Sequence, residues 1–364
     1  QTVERFGFGY APDSRGALKQ ALSRFEEPML IEAGLRIAAE ERDPYDRFRD
    51  RLMLPIHDAR GRVIAFGGRI LDSDRKDAPK YLNSPDTPLF DKGRTLYNLH
   101  RAGPASRKSG RVVVVEGYMD VIALAAAGVE EAVAPMGTAL TEQQIELLWR
   151  MADKPILCFD GDAAGQRAAI RAAERALPLL RPGCSLQFVS LPAGLDPDDL
   201  VRREGRAGIE RLLEQPASLL DLIWNHEREA APNASPEDKA GLKARLMAHV
   251  EAIADRDIAA LYRREWLERF SAFAFPPREQ PQRGKPWRGG KPSALPALAP
   301  GTIDRLRRGG KRDDLAQSVL AGLARHPDQI ARHEEALLGL ARNCPALAQA
   351  IDGLLHLSDA LEAG

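Results

Sequence analysis

VVVVEGYMD (residues 112–120) decides how this chain is read, because an apolar run there stops abruptly at a carboxylate and a glycine. Four consecutive valines predict a strand covered on both faces, since a strand with one wet face would alternate apolar and polar residues. Glu116 then falls at the strand's carboxyl end, the edge that faces a ligand crevice in open α/β sheets. The same grammar recurs twice. PILCF (155–159) runs into Asp160, Gly161 and Asp162, and the apolar run 186–191 passes through a Pro-Ala-Gly turn into Asp196, Pro197 and Asp198. Three acid groups at three strand ends can converge on one edge of one sheet.

Five ionised carboxylates in one place repel one another, which would raise their pKa values or cost several kcal/mol without a partner. Divalent cations remove that cost. Hard oxygen ligands, few in number, suit Mg²⁺ or Mn²⁺ that keep water and hold substrate phosphates. The spacing of Asp160 and Asp162 places both acids on one side of an extended segment, with Gly161 leaving room for backbone or phosphate. Taken alone, Asp-Gly-Asp is a solvated turn, and Asp196-Pro197-Asp198 is a helix start with acids at the dipole's positive end. It is the joint pattern that points to a metal site.

Upstream, residues 1–106 read as a mixed α/β region. Helical patterns cover 16–25 and 28–34, and strands over 52–58 and 62–70 flank Asp58-Ala59-Arg60-Gly61, a β-turn sequence. That hairpin ends in Gly67-Gly68-Arg69, where a close backbone and a planar guanidinium fit a phosphate. Arg47, Arg49 and Arg51 recur every second residue and, on an extended segment, line one face, the ordinary form of a solvated surface. Lys80, Tyr81 and Asn83 combine charge, an aromatic ring and an amide in a loop suited to gripping single-stranded nucleic acid.

Residues 107–205 alternate strand and helix, which predicts a parallel sheet. Within MGTALTEQQ (136–144), Thr141 followed by Gln144 forms a capping box for a helix. No Gly-x4-Gly-Lys-Ser/Thr sequence occurs, which excludes an ATP-driven motor of that type from this piece. Residues 206–275 carry apolar residues at helical spacing over 209–213, 219–226 and 236–270, with His226 and His249 as surface or packed histidines. A Pro, Gly and basic stretch over 276–301, containing Trp287, reads as a tether, and residues 302–364 are again helical.

The order EGYMD, MGTAL, CFDGDAAG and DPDDLV resembles the TOPRIM domain of bacterial replicative primases of the DnaG type. YDRFRDRLMLPI (45–56), GRVIAFGGRIL (61–71) and PKYLNSPDTPLFDKGRTLYNL (79–99) are similar to the N-terminal part of that family's catalytic core, so the likeness runs from about residue 6 to about residue 213. The resemblance implies synthesis of short RNA primers on a single-stranded DNA template from ribonucleoside triphosphates, with Mg²⁺ or Mn²⁺. It implies a catalytic role for Glu116, Asp160 and Asp162, and metal binding by Glu116, Asp160, Asp162, Asp196 and Asp198. Nucleotide or nucleic-acid contacts are implied for Arg69, Lys80 and Lys92, and Arg47, Arg49 and Asn83 join that set from the residue pattern. A helical module beyond the tether corresponds in position to the family's contact with a DnaB-type replicative helicase. The family's N-terminal zinc module has no counterpart after Gln1, so a fragment is expected.

Composition agrees with these expectations. The 364 residues carry 52 basic and 52 acidic side chains, so a nucleic-acid enzyme must segregate its charges. Cys158, Cys184 and Cys344 have no spacing for zinc or a disulfide framework, and Cys158 is expected to be inert packing. Without a long apolar run or signal peptide, no membrane association and a cytoplasmic location are expected. Two alternatives stand beside the primase reading: a TOPRIM nuclease or topoisomerase, and a non-catalytic adaptor that recruits a helicase. The six tyrosines have no evident strand-passage setting, and all five acids are in place.

Overall fold

In the computed structural model of the chain, the four valines ahead of Glu116 are fully buried and alternate between two cores. Val112 and Val114 belong to the cluster holding Trp149, Leu177 and Trp224, whereas Val113 and Val115 belong to the one holding Val121, Leu124 and Ile209. The strand is therefore covered on both faces, as its composition predicts. The structure describes residues 2–39, 42–71, 78–137, 139–275, 314–326, 329–343 and 345–362. They belong to two units, Gln1–Arg278 and Glu279–Gly364.

The first unit begins with α1 (Thr2–Phe6), β1 (Gly9–Ala11), α2 (Ala17–Ala21), α3 (Glu27–Glu32) and the short pair β2 (Arg36–Ile37) and β3 (Tyr45–Asp46). Both helices are shorter than the patterns over 16–25 and 28–34. Beyond α3 the chain turns at Gly34, whose φ of +68° a side chain would resist and whose missing Cβ leaves room for Pro85. β4 (Arg51–His57) and β5 (Val63–Ile70) form the expected hairpin. Its turn is closed by Asp58, whose backbone N donates to Arg62 O and whose Oδ1 accepts from the Arg60 and Arg62 amides. With β6 (Tyr81–Asn83) they complete an antiparallel sheet in the order β1-β4-β5-β6.

A second sheet follows α4 (Leu99–Ser109). It is built from β7 (Val113–Val114), α5 (Tyr118–Ala126), β8 (Ala132–Val133), α6 (Glu142–Trp149), β9 (Ile156–Phe159), α7 (Ala163–Ala176), β10 (Gln187–Ser190), α8 (Pro197–Leu213) and β11 (Ala217–Ser218). The strand order is β11-β10-β9-β7-β8, parallel except for β11. β7, β9 and β10 are adjacent and parallel, so their carboxyl ends open on one edge at spacings of about 4.8 Å. α6 starts with the predicted capping box: Gln144 N donates to Thr141 Oγ1 at 3.1 Å and Thr141 N to Gln144 Oε1 at 3.0 Å.

Three helices, α9 (Leu219–Glu229), α10 (Pro236–Glu251) and α11 (Arg256–Ala274), cover one face of this sheet through Leu219, Ile223 and the fully buried Trp266. The apolar run over 236–270 is not one helix. Asp255 accepts from the Asp257 and Ile258 amides and so caps a new one. The pattern at 209–213 is the second half of α8, which kinks at Gly205 (φ +65°, ψ −163°). His226 is exposed, and His249 Nε2 lies 2.7 Å from Glu227 Oε1.

The second unit contains α12 (Asp314–Arg325), α13 (Glu334–Asn343) and α14 (Pro345–Glu362) around Leu320, Ile330, Leu337, Leu347, Ile351 and Leu354. The tether over 276–301, Trp287 and Cys344 lie outside the described residues. Among the described residues no helix is long and apolar enough to cross a membrane.

Candidate metal and nucleotide site

Each acid is held by the local chemistry of a strand end. Glu116 leaves β7 and its Oε1 accepts a hydrogen bond from Asp160 N at 3.0 Å, joining the first two acid segments. The second and third are joined by Gly161 N, which donates to Leu195 O at 3.0 Å. Asp162 is the N-cap of α7, accepting from the Ala164 and Gly165 amides at 2.8 Å each, and Asp196 caps α8 by accepting from Asp199 N at 2.7 Å. Asp198, in the first turn of α8, is paired with Arg202 at 2.6 Å.

The expected space beside Gly161 is filled by protein. A Cβ there would stand 2.2 Å from the Pro192 carbonyl oxygen, so the glycine lets two acid-bearing loops touch and leaves no opening there for a phosphate. Asp160 and Asp162 also differ in setting: Asp162 is exposed, while Asp160 Oδ1 is buried without a hydrogen-bond partner.

The acids lie within one another's fields. Burial pushes Asp160 up to about 6, assisted by Glu116, Asp196, Asp162 and Asp199. Asp120 stands out among residues that the motif spacing did not single out. It is 9% exposed, and burial together with Asp160 and Asp196 pushes it up to about 7. Its Oδ2 accepts from Gly117 N at 3.1 Å, which places it one helical turn behind Glu116. The signal was present in EGYMD, where three residues separate two acids across a strand-to-helix junction. Asp198 is raised by burial, against the pull of Arg202.

Among the described residues no three histidine, cysteine, aspartate or glutamate side chains close into a ready-made metal cage. The donor set nevertheless fits a hard divalent cation, because it is all carboxylate and includes the orphaned buried Asp160 Oδ1. Asp120 and Asp160 bind protons more tightly in the folded chain than in the unfolded one, so without cation they cost stability as pH rises towards 6 to 7. His57 and His100, whose tilted rings lie 4.4 Å apart and whose pKa values are lowered chiefly by burial, act in the opposite sense at lower pH. The acids' share is therefore read from the thermal gain on adding Mg²⁺ or Mn²⁺. That gain is expected to be a few degrees at about pH 8 and much smaller at about pH 5, where protons compete. Equal gains at both would show that these carboxylates do not meet the ion.

The basic side is uneven. Arg69 and Lys80 flank Tyr81, with their cationic groups 5.7 and 5.9 Å from its ring centroid. Burial raises the Tyr81 phenol, and Asp120, Asp196 and Asp198 add to the shift, so this ring lies within the field of the acids. The arginines at 47, 49 and 51 do not share a solvated face, because the chain leaves β3 after Asp46 and takes φ +51° at Asp50. Arg51 is buried and donates to Gly68 O and Pro79 O at 3.0 and 2.9 Å. Arg47 donates twice to Asn83 O, and Arg49 lies over Tyr45 at 5.3 Å. Asn83 turns both ends of its amide inward, accepting from the Tyr118 hydroxyl and donating to Met136 O. Lys92 sits in a loop docked on the start of α6, its carbonyl accepting from Gln144 Nε2 at 3.0 Å. Cys158 is buried in β9 with its thiol pushed up to about 12, as expected of inert packing.

Residues 1–103 match the family described as the DNA primase catalytic core, N-terminal domain, and residues 110–190 match the Toprim domain. Among curated proteins the chain is similar to the DNA primase of Neisseria meningitidis serogroup A, 47% identical over 243 residues that make up 66% of this chain and 40% of that protein. Two solved structures are also similar. One is a DnaG primase catalytic domain bound to ssDNA, with TM-score 0.67 and 40% identity, covering 74% of this chain and 84% of that one. The other is a DNA primase domain from Pseudomonas aeruginosa, with TM-score 0.69 and 42% identity, covering 73% and 83%. The chain spans between 40% and 45% of the length of the curated relatives it matches.

Proposed function

The chain belongs to the DnaG-type DNA primase family, and on that footing we propose that it joins ribonucleoside triphosphates into short RNA primers on single-stranded DNA during replication. The observation that carries this reading is one parallel-sheet edge bearing Glu116, Asp160 and Asp196 on adjacent strand ends, with Tyr81, flanked by Arg69 and Lys80, within the field of Asp196.

In this reaction the primer 3′-hydroxyl attacks the α-phosphate of the incoming nucleotide, losing its proton as the new ester bond forms and pyrophosphate leaves. Bound Mg²⁺ or Mn²⁺ supplies Lewis acidity to the phosphate oxygens and favours the deprotonated hydroxyl. Glu116, Asp160 and Asp162 would hold the ion nearest the chemistry, and Asp196 and Asp198 the one on the triphosphate. Arg69, Lys80 and Lys92 would neutralise phosphates, with Tyr81 offering a face for a base. Arg47 and Arg49 would border the strand's path. Asn83 serves that path from behind, through its internal bonds. The same reading divides the chain into a core subdomain (1–106), the TOPRIM domain (107–205), a helical subdomain (206–275), a tether (276–301) and a helicase-contacting module (302–364), working in the cytoplasm.

Incubation with single-stranded DNA, labelled ribonucleotides and Mg²⁺ tests the proposal. Short RNA is the expected product; cleaved DNA would mean a nuclease or topoisomerase, and neither product an adaptor. Arg69→Ala or Lys80→Ala is expected to weaken single-stranded DNA binding about tenfold and equally across sequences, with a salt slope shallower by about 1. Loss confined to particular template sequences would contradict a phosphate role.

A further inference from the structure

A junction between the two sheets lies two residues beyond Glu116, and it is made by a tyrosine. Tyr118 follows Glu116 by two residues and is 4% exposed. Its ring lies over the paired residues Gly67 and Asn83 of β5 and β6: a Cβ at Gly67 would be 3.1 Å from the ring, a contact that would press the ring back by a few tenths of an ångström. Its hydroxyl donates to Asn83 Oδ1, Asn83 Nδ2 donates to Met136 O at 3.0 Å, and Arg47 holds the Asn83 carbonyl at 2.8 Å. Tyr97 meets the ring edge-on at 4.8 Å, and Tyr81 lies 6.1 Å away. Asn83 thus ties three segments together: the strand carrying Tyr81, the start of α5 two residues after Glu116, and the loop following β8.

We propose that Tyr118 is a positioning residue whose hydroxyl, held by Asn83, fixes the Glu116 loop against the strand bearing Arg69 and Tyr81. Metal and template grips sit on different sheets, so their relative placement has to be set somewhere, and nucleotidyl transfer is sensitive to misplacement of about 1 Å. Burial holds the phenol protonated, which keeps it a donor at any working pH. The inference rests on the primase reading for its catalytic consequence and on the geometry alone for its structural one.

Tyr118→Phe keeps the ring and removes only the hydroxyl. In the full chain it is expected to lower kcat for RNA synthesis about tenfold while KM for nucleotide changes less than about threefold. Asn83→Ala is expected to act similarly, and the double variant to be no worse than Asn83→Ala alone, as for two members of one interaction. Hydrogen exchange supplies a readout independent of catalysis: amides over 116–120 and 81–83 should exchange faster in Tyr118→Phe, while those of β9 and β10 stay unchanged. A wild-type kcat together with wild-type exchange would overturn the proposal, as would additive losses in the double variant. A wild-type chain that makes no RNA would remove the primase reading, and the exchange comparison would still decide the junction.

Discussion

Asp160→Asn is expected to reduce RNA synthesis by at least about a thousandfold while leaving the fold intact. The substitution keeps the side chain's shape and replaces the carboxylate whose buried Oδ1 has no hydrogen-bond partner among the described residues. An amide can still fill the space, but it cannot replace an anionic ligand for a hard cation. Its effect on stability should run the other way. Asp160 is raised by burial and by four neighbouring acids, so losing its charge relieves repulsion in cation-free protein. The combination of a higher melting temperature in EDTA, a smaller gain from Mg²⁺ and no product separates loss of a ligand from loss of the fold. Normal product from Asp160→Asn would remove Asp160 from the site.

Gly161→Ala is expected to be strongly damaging. No positive φ is involved; the cost is steric, because the new Cβ would meet the carbonyl oxygens of Pro192 and Leu191 at 2.2 and 2.8 Å. Those atoms are backbone and cannot swing aside, so the loop after β9 must part from the loop after β10. The hydrogen bond from Gly161 N to Leu195 O would be strained in the same movement. A loss of about 2–3 kcal/mol in stability is expected. Separation of Asp160 from Asp196 should reduce synthesis further than that loss explains, measured well below the melting temperature. An Ala variant with near-normal activity would mean that the contact between the two loops has no bearing on the chemistry.

Much of this site is legible in the chain because its determinants are local. A four-valine run has to be buried on both faces, and its end fixes where Glu116 emerges. Asp162, Asp196 and Thr141 cap helices through bonds to amides two or three residues away, a relation that spacing alone reveals. The β4–β5 hairpin is written in its turn, where Asp58 and Gly61 do the folding. Local pattern misleads where the deciding atoms lie far along the chain. Arg51 belongs inside because Gly68 and Pro79 present carbonyls to it, and nothing in an every-second-residue pattern carries that information. Asn83 reads as a ligand for nucleic acid until Tyr118 and Met136 claim its amide.

By itself, then, the sequence determined which segments become strands and helices and which acids stand at their ends, because backbone geometry and burial periodicity act over a few residues. Only the tertiary structure decided that Asp120 joins those acids in a low-dielectric setting, that Gly161 is a contact between loops, and that the two sheets are locked through Tyr118. The electrostatic and steric environment of a side chain is set by whatever packs against it, and in this fold those neighbours come from segments tens of residues away.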